Sequence, residues 1–206
     1  MNYYIADLHF GYEKILKQSE RPFASVEEMD QALVHNWNQV VTDEDTVYVI
    51  GDVGSYDRPL PEEYLAQLKG KKHLIRGNHD TGYEEQERFF EYFETVTDLF
   101  EFDEGDLHIT LCHYPIVYIQ GGFMIHGHIH NTKKEIHEIL EKLPRVLNAC
   151  VEVNDYRPVT LDELIENNRA YYEDPGKGCL KEWPEGERPY HKRRWKADFR
   201  PLPVKK

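Results

Sequence analysis

Short apolar runs alternate along this chain with longer segments of helical period. Asn2–Ala6, Thr46–Ile50, His73–Ile75 and Phe123–Ile125 are brief and mostly β-branched or aromatic, which predicts strands. Asp98–Asp103 and Asp106–Leu111 predict the two arms of a hairpin turning about Glu104-Gly105, and Val146–Val153 predicts a further strand. Between them lie helix signals. Ser25 and Glu28 have capping-box spacing ahead of an apolar stripe of Val26, Met29, Leu33, Trp37 and Val41, with His35 off the stripe and solvated. Pro61 opens a helix to about Lys69 with Gly70 as its stop, and Glu84–Phe93 predicts another. Thr132 with Glu135 caps a helix to about Leu143, and Thr160 with Glu163 caps a last one from Leu161 to about Tyr171. Beyond Asp174 Pro and Gly become frequent and the periodicity stops; there is no internal repeat.

The 206 residues suit a single domain with a substantial core. No apolar run reaches membrane-spanning length, and Met-Asn-Tyr-Tyr-Ile-Ala-Asp is not a signal peptide, so no membrane partner is expected. Three cysteines, Cys112, Cys150 and Cys179, lack metal-type spacing and suit reduced thiols in a cytoplasmic protein. The net charge of −13 is unevenly spread: residues 188–206 hold eight Lys/Arg against one Asp, which leaves −20 on residues 1–187. A body this acidic is a poor general binder of nucleic acid.

The chemistry gathers where the strands stop. Five apolar runs end at Asp7/His9, Asp52, Asn78/His79, His113 and His128/His130. In α/β sheets, sites form beyond the carboxyl ends of strands, so five such ends can converge. Asp7 and His9, like His128 and His130, are two apart and share a face of an extended segment. Standing alone, Asp7 and His9 would read as a turn Asp with a chance His, and the His-rich tract would fit a solvated turn as well as a metal site. Two carboxylates, an amide oxygen and four imidazoles suit Mn²⁺, Fe, Zn²⁺ or Ni²⁺ better than a Cys-rich zinc site. Seven ligands exceed one open site and match two ions sharing a bridge.

Asp7-Leu8-His9, Gly51-Asp52, Gly77-Asn78-His79-Asp80, His113 and Gly127-His128-Ile129-His130 follow one another in the order of a known signature. The chain resembles the calcineurin-like metallophosphoesterase superfamily, over roughly residues 1–155. Tyr156-Arg157-Pro158-Val159 and the helix after it look like small stand-alone bacterial or phage members. The resemblance implies an α/β (α+β) fold, a four-layer αββα sandwich of two facing mixed sheets flanked by helices. It implies a domain over residues 1–155, with 156–206 a C-terminal helix and basic Pro-rich tail packed on it. It also implies two divalent transition-metal ions, Mn²⁺ foremost, one held by Asp7, His9, Asp52 and His130 and the other by Asp52, Asn78, His113 and His128. Asp52 bridges because a carboxylate offers two oxygens. The expected activity is hydrolysis of a phosphodiester or small phosphomonoester by in-line attack of a metal-bridging hydroxide. His79 is expected to protonate the leaving oxygen or stabilise the transition state, and Asp80 to orient its loop or a neighbouring His. His126, outside the signature, is either such a supporting group or without a role.

Gly51-Asp52-Val53-Gly54-Ser55-Tyr56 lacks the continuation Val-Asp-Arg-Gly of protein Ser/Thr phosphatases, and His79 stands where the lipid A branch has Arg. A small phosphoester partner remains, with a nucleotide-like one favoured, on a monomer or homodimer. Phe10, Tyr12, Tyr83 and Tyr114 flank the ligands and either stack on a base or simply pack. The tail His191-Lys192-Arg193-Arg194-Trp195-Lys196 either grips nucleic acid, making the chain a DNA or RNA nuclease, or lies as a strap on the acidic body; the strap is favoured. A non-catalytic protein-interaction scaffold of the same fold is the remaining alternative, disfavoured by the complete ligand set.

Overall fold

The structure, a computed structural model, describes residues 1–55, 61–83, 87–119, 121–132 and 135–173. The basic tail and Cys179 lie outside the described residues. Among the described residues the strands are β1 Asn2–Ile5, β2 Thr46–Val49, β3 Lys71–Ile75, β4 Thr95–Thr97, β5 Leu99–Glu104, β6 Leu107–Cys112, β7 Phe123–His126 and β8 Val146–Asn148. The α-helices among the described residues are α1 Lys14–Gln18, α2 Val26–Val40, α3 Glu62–Leu65, α4 Glu87–Phe90, α5 Glu135–Leu140 and α6 Leu161–Glu173.

β1-β2-β3-β4 form one sheet, parallel throughout, whose β1 edge gains an antiparallel bridge from Val159 to Tyr4. β5-β6-β7-β8 form the other, which is mixed: β5 and β6 make the expected antiparallel hairpin, while β7 and β8 run parallel to β6. Alternation of side chains along each strand builds the layers. Tyr3 and Ile5 face one way, into a core shared with Met29, Leu33 and Trp37 of α2 and Leu65 of α3. Tyr4 and Ala6 face the other way and meet Ile109, Leu111, Phe123 and Ile125 across the gap between the sheets. Met124 and Val146 turn outward onto Leu140 of α5. Helices, sheet, sheet, helix is the expected order.

Burial on both faces explains why the β1, β2 and β7 sequences are almost continuously apolar. α2 is capped as its sequence asks: the Ser25 hydroxyl accepts from the Glu28 amide at 3.2 Å, and the Glu28 carboxylate accepts from the Ala24 amide at 2.8 Å. His35 is exposed. The α6 cap also closes, with Thr160 N–H donating to Glu163 Oε2 at 3.0 Å and Glu163 N–H donating to Thr160 Oγ1 at 3.4 Å.

Several elements differ from expectation. The strand expected over Val146–Val153 stops at Asn148, because the Cys150 amide turns to the Asn148 side chain at 2.9 Å and residues Val151–Val153 wind into a 3-10 turn. The helix expected over Glu84–Phe93 is a single turn, Glu87–Phe90, with residues 84–86 outside those described. Its aromatics Phe89 and Phe93 pack on each other and lead into β4, which the sequence reading missed. α3 ends at Leu65 rather than Lys69, α1 was unforeseen, and α5 spans Glu135–Leu140 rather than reaching Leu143.

Candidate metal centre

All five predicted strand ends meet at one place, and hydrogen bonds join them loop to loop. The Asp7 amide donates to Gly51 O at 3.0 Å and the His9 amide to Asp52 O at 3.0 Å, which fastens the loop after β1 to the loop after β2. The Ala6 amide donates to Ala149 O at 2.9 Å, the Ala149 amide to His126 O at 2.8 Å, and the Gly127 amide to His113 O at 3.0 Å. The two sheets are thereby stitched together beneath the site.

Asp7, His9, Asp52, His128 and His130 all have left-handed backbone, with φ of 60°, 54°, 57°, 72° and 49°. Each such residue costs on the order of 1 kcal/mol. Strain of this kind persists where surrounding structure over-determines it and gathers at functional sites. Two glycines of the signature are demanded by crowding rather than by backbone twist. A Cβ at Gly77 would stand 2.6 Å from the Asp52 amide, and one at Gly127 would stand 2.8 Å from Ile50 O.

The donor atoms fall into overlapping groups: Asp7, His9 and His130; His9, Asp52 and His79; Asp52, His113 and His128, each within 4.8 Å. Asp7, His9, Asp52 and His113 are at most 2 % exposed. His9 Nε2 lies 3.8 Å from Asp7 Oδ1 and 3.6 Å from Asp52 Oδ2. His113 Nε2 lies 3.4 Å from the same Asp52 oxygen and 3.1 Å from Asn78 Oδ1, and His130 Nε2 lies 3.5 Å from Asp7 Oδ1. Asp52 thus stands between the two expected ligand sets.

Tautomers follow from partners that can only accept. His9 Nδ1 meets Gly54 O at 3.0 Å, and His113 Nδ1 meets Ile50 O at 2.9 Å, so both Nδ1 atoms carry the proton. His130 Nδ1 donates to Glu152 Oε1 at 2.9 Å. In all three it is Nε2 that is turned into the site, the atom a metal would take once it carries no proton. Among the described residues Asp7 Oδ1 and His9 Nε2 are buried without a hydrogen-bond partner. Buried polar atoms left unpaired are costly, and these two fit a metal. Burial lifts the Asp7 carboxyl above its usual range, while burial and the Arg21 charge hold His9 well below 6.5. Asp52, despite its burial, is held well below the usual carboxylate range by His113 and His9.

Asp80 lies beside the expected ligands, outside the groups able to hold a metal. Its Oδ2 accepts from the Asp52 and Gly77 amides at 2.9 and 2.8 Å, and its Oδ1 from the Val53 amide at 2.9 Å. It binds loop to loop and engages no imidazole in these bonds. His79 is half-buried; its amide donates to Asp52 Oδ1 at 2.8 Å, its Nδ1 lies 3.3 Å from Ser55 Oγ, and its ring meets His9 edge-on at 4.9 Å. His126 is fully buried below the site, its Nδ1 2.8 Å from Gly127 O, and burial pushes it down to about 4. Three of the four flanking aromatics are packing: Phe10, Tyr12 and Tyr83 are buried, whereas Tyr114 is 50 % exposed and its ring sits 4.6 Å from that of His128.

Sequence reasoning missed Arg21, Glu152, Asn148 and Cys150. The Arg21 guanidinium donates to Asp7 O at 2.6 Å and Leu8 O at 2.9 Å, the Asn148 amide side chain donates to His130 O at 2.8 Å, and Cys150 Sγ donates to Asp7 Oδ2 at 3.1 Å. Glu152, a lone acid inside the apolar run Ala149–Val153, was the one with a visible signal.

A sequence profile of calcineurin-like phosphoesterases matches residues 3–185, and the chain belongs to that family. An uncharacterised protein of Methanocaldococcus jannaschii is 35 % identical over 169 residues, 80 % of this chain and 89 % of that one. The gene 66 protein of Mycobacterium phage L5 is 28 % identical over 84 % of this chain and 97 % of its own length. A crystal structure of a protein of unknown function from Aquifex aeolicus superposes with a TM-score of 0.65 at 28 % identity, covering 81 % of this chain and 98 % of that one. The family's reaction is metal-dependent phosphoester hydrolysis, and the Asp/His groups here are able to bind metal. Among the described residues no helix is long and apolar enough to cross a membrane.

Proposed function

We propose that this chain is a binuclear metal-dependent phosphoesterase acting on a phosphodiester or small phosphomonoester, with a nucleotide-like substrate favoured. The observation that carries this reading is Asp52 Oδ2, lying 3.6 Å from His9 Nε2 and 3.4 Å from His113 Nε2. A carboxylate placed between two imidazoles in this way could be shared by two ions. Asp7, His9, Asp52 and His130 would hold one ion, and Asp52, Asn78, His113 and His128 the other. When bound, two divalent ions, Mn²⁺ before Fe, Zn²⁺ or Ni²⁺, supply the charge that orients a phosphoryl group and acidifies an attacking water.

The protein's own groups complete the reaction. His79 touches both sides of the centre through Asp52 and His9 yet is surplus to the two ligand sets, which suits it to protonate the departing oxygen. Asp80 keeps the Asp52 loop in its strained form so that the bridge is set before substrate arrives. Tyr114, exposed at the rim against His128, is placed to stack on an aryl or nucleobase group. The test is a Mn²⁺-supplemented panel of a bis-aryl phosphate diester, an aryl monoester, cyclic nucleotides and single-stranded DNA. Turnover of the small esters, abolished by chelator and by Asp52→Asn, is expected. A protein that binds two Mn²⁺ yet hydrolyses none of them would overturn the reading.

A further inference from the structure

Arg21 and Glu152 are 4 % and 3 % exposed, a buried ion pair that no part of the mechanism above uses. Replacing such a pair by apolar groups is often neutral for stability, so its presence asks for another explanation. Arg21 Nε and an Nη reach Glu152 Oε1 at 2.9 and 2.8 Å. The same guanidinium donates to Asp7 O at 2.6 Å and Leu8 O at 2.9 Å, the carbonyls of a loop whose Asp7 and His9 are left-handed. The Glu152 oxygen that Arg21 holds also accepts His130 Nδ1–H at 2.9 Å. A continuous chain of hydrogen bonds therefore links the first strand-end loop to the last through one guanidinium and one carboxylate.

We infer that Arg21 and Glu152 are positioning residues for one of the two metal ions and not the other, an inference that rests on the binuclear reading. Among the expected ligands, their hydrogen bonds reach Asp7 and His130, which belong to a single proposed set. Asp80, by contrast, fastens Asp52 and Gly77, beside Asn78 of the other set. Glu152 fixes the proton on His130 Nδ1 and the ring's orientation, so Nε2 faces Asp7 Oδ1, 3.5 Å away. Arg21 holds both Glu152 and the strained loop that carries Asp7. Supporting carboxylates of this kind alter metal affinity by roughly 10–100-fold. The loss is confined to the ion held by Asp7, His9, Asp52 and His130.

Two variants test this by Mn²⁺ titration calorimetry, with electron paramagnetic resonance to separate spin-coupled pairs from single ions. Arg21→Met with Glu152→Leu removes both charges together, so no unpaired charge is buried. Glu152→Gln is nearly isosteric and keeps a neutral acceptor for both Arg21 and His130 Nδ1; a thermal melt of each variant beside the wild type shows which is folded, and the folded one is titrated. The double variant is expected to weaken one ion by about 10–100-fold, leave the other within about twofold, and replace the coupled signal by a mononuclear one. Glu152→Gln should weaken the same ion by a smaller factor. Two ions bound by the variants as tightly as by the wild type, or both weakened equally, would overturn the inference. A wild type that binds fewer than two Mn²⁺ would instead sink the binuclear reading beneath it.

Discussion

The Asp80 carboxylate accepts the backbone N–H of Asp52 at 2.9 Å, which ties the site's central carboxylate to the loop after β3 through the main chain. Because Asp80 also takes the Val53 and Gly77 amides, one side chain satisfies three buried donors. Asp80→Ala strands them all. Each unsatisfied buried donor costs about 1–3 kcal/mol, so a stability loss of at least about 3 kcal/mol is expected. Urea denaturation in the presence of a chelator, which keeps metal binding out of the measurement, checks it. A loss below about 1 kcal/mol would show that the loops hold without Asp80.

Asp52 and His79 should separate cleanly in kinetics. Asp52→Asn withdraws charge from both ligand sets, so metal content and kcat fall together. On the proposed roles, His79→Asn leaves both sets intact and removes only the proton donor, worth about 10²–10⁴ in kcat. Asp52→Asn is therefore expected to cost more activity, and His79→Asn to retain its metal. Equal and small losses for the two, with metal content unchanged in both, would contradict the roles given to them.

The strand-end motifs were legible because each is local. An apolar run, a Gly and a ligand within four positions suffice to place Asp52 or His128 at a carboxyl edge. Parallel strands then bring those edges together with no further information. The supporting groups were not legible because their partners lie far away: Arg21 and Glu152 are 131 positions apart, and Cys150 reaches Asp7 Oδ2 across 143. Helix lengths were overread for a related reason. Aromatic clusters such as Phe89, Phe90 and Phe93 satisfy a helical period over a few residues, yet tertiary packing ends α4 after one turn. Of the four aromatics, burial alone separated Tyr114 from the other three, and burial is not written locally.

Metal affinity should rise with pH. In the chain without metal, burial would lower His113, but hydrogen bonding to Asp52 and the Asp7 charge outweigh it and push it up to about 9. His130 is raised in the same sense by Glu152 and Asp7 against its burial. A proton on either imidazole must leave before metal can bind, so each protonated ligand costs about tenfold in affinity per pH unit below its pKa. Apparent Mn²⁺ affinity is therefore expected to climb from pH 6 to about 9 and then level. Titrations giving a flat profile across that range would contradict the assignment of His113 as a ligand.

Asp30 offers a stability test away from the metals. Its Oδ2 accepts the Gly11 amide at 3.0 Å, the Tyr64 hydroxyl is a further hydrogen-bond partner, and burial outweighs both and pushes it up to about 7. A carboxyl whose folded pKa is raised binds more protons folded than unfolded across the interval between the two values. Stability is thus greatest below the unfolded value and is lost as pH rises through about 7. Between pH 5 and 8 the loss from Asp30 should be on the order of 2 kcal/mol. Asp30→Asn keeps an acceptor for Gly11 and should remove that slope; urea midpoints at the two pH values, again with chelator, decide it.

Tyr114 carries the substrate question. Its ring lies 4.6 Å from His128 and 5.3 Å from His113, half exposed at the mouth of the site, where Phe10, Tyr12 and Tyr83 are sealed inside. Stacking on an aromatic side chain is worth about 1–3 kcal/mol per base, enough for a rise in KM of roughly 5- to 150-fold when the ring is removed. Tyr114→Ala should therefore raise KM for nucleotide and aryl esters while leaving that for a short alkyl diester unchanged, and Tyr114→Phe should behave as the wild type. The contrast matters because loss of the ring could also disturb His128, against which it packs. Disturbed metal binding would depress turnover of alkyl and aryl esters alike, whereas a lost stacking platform discriminates between them.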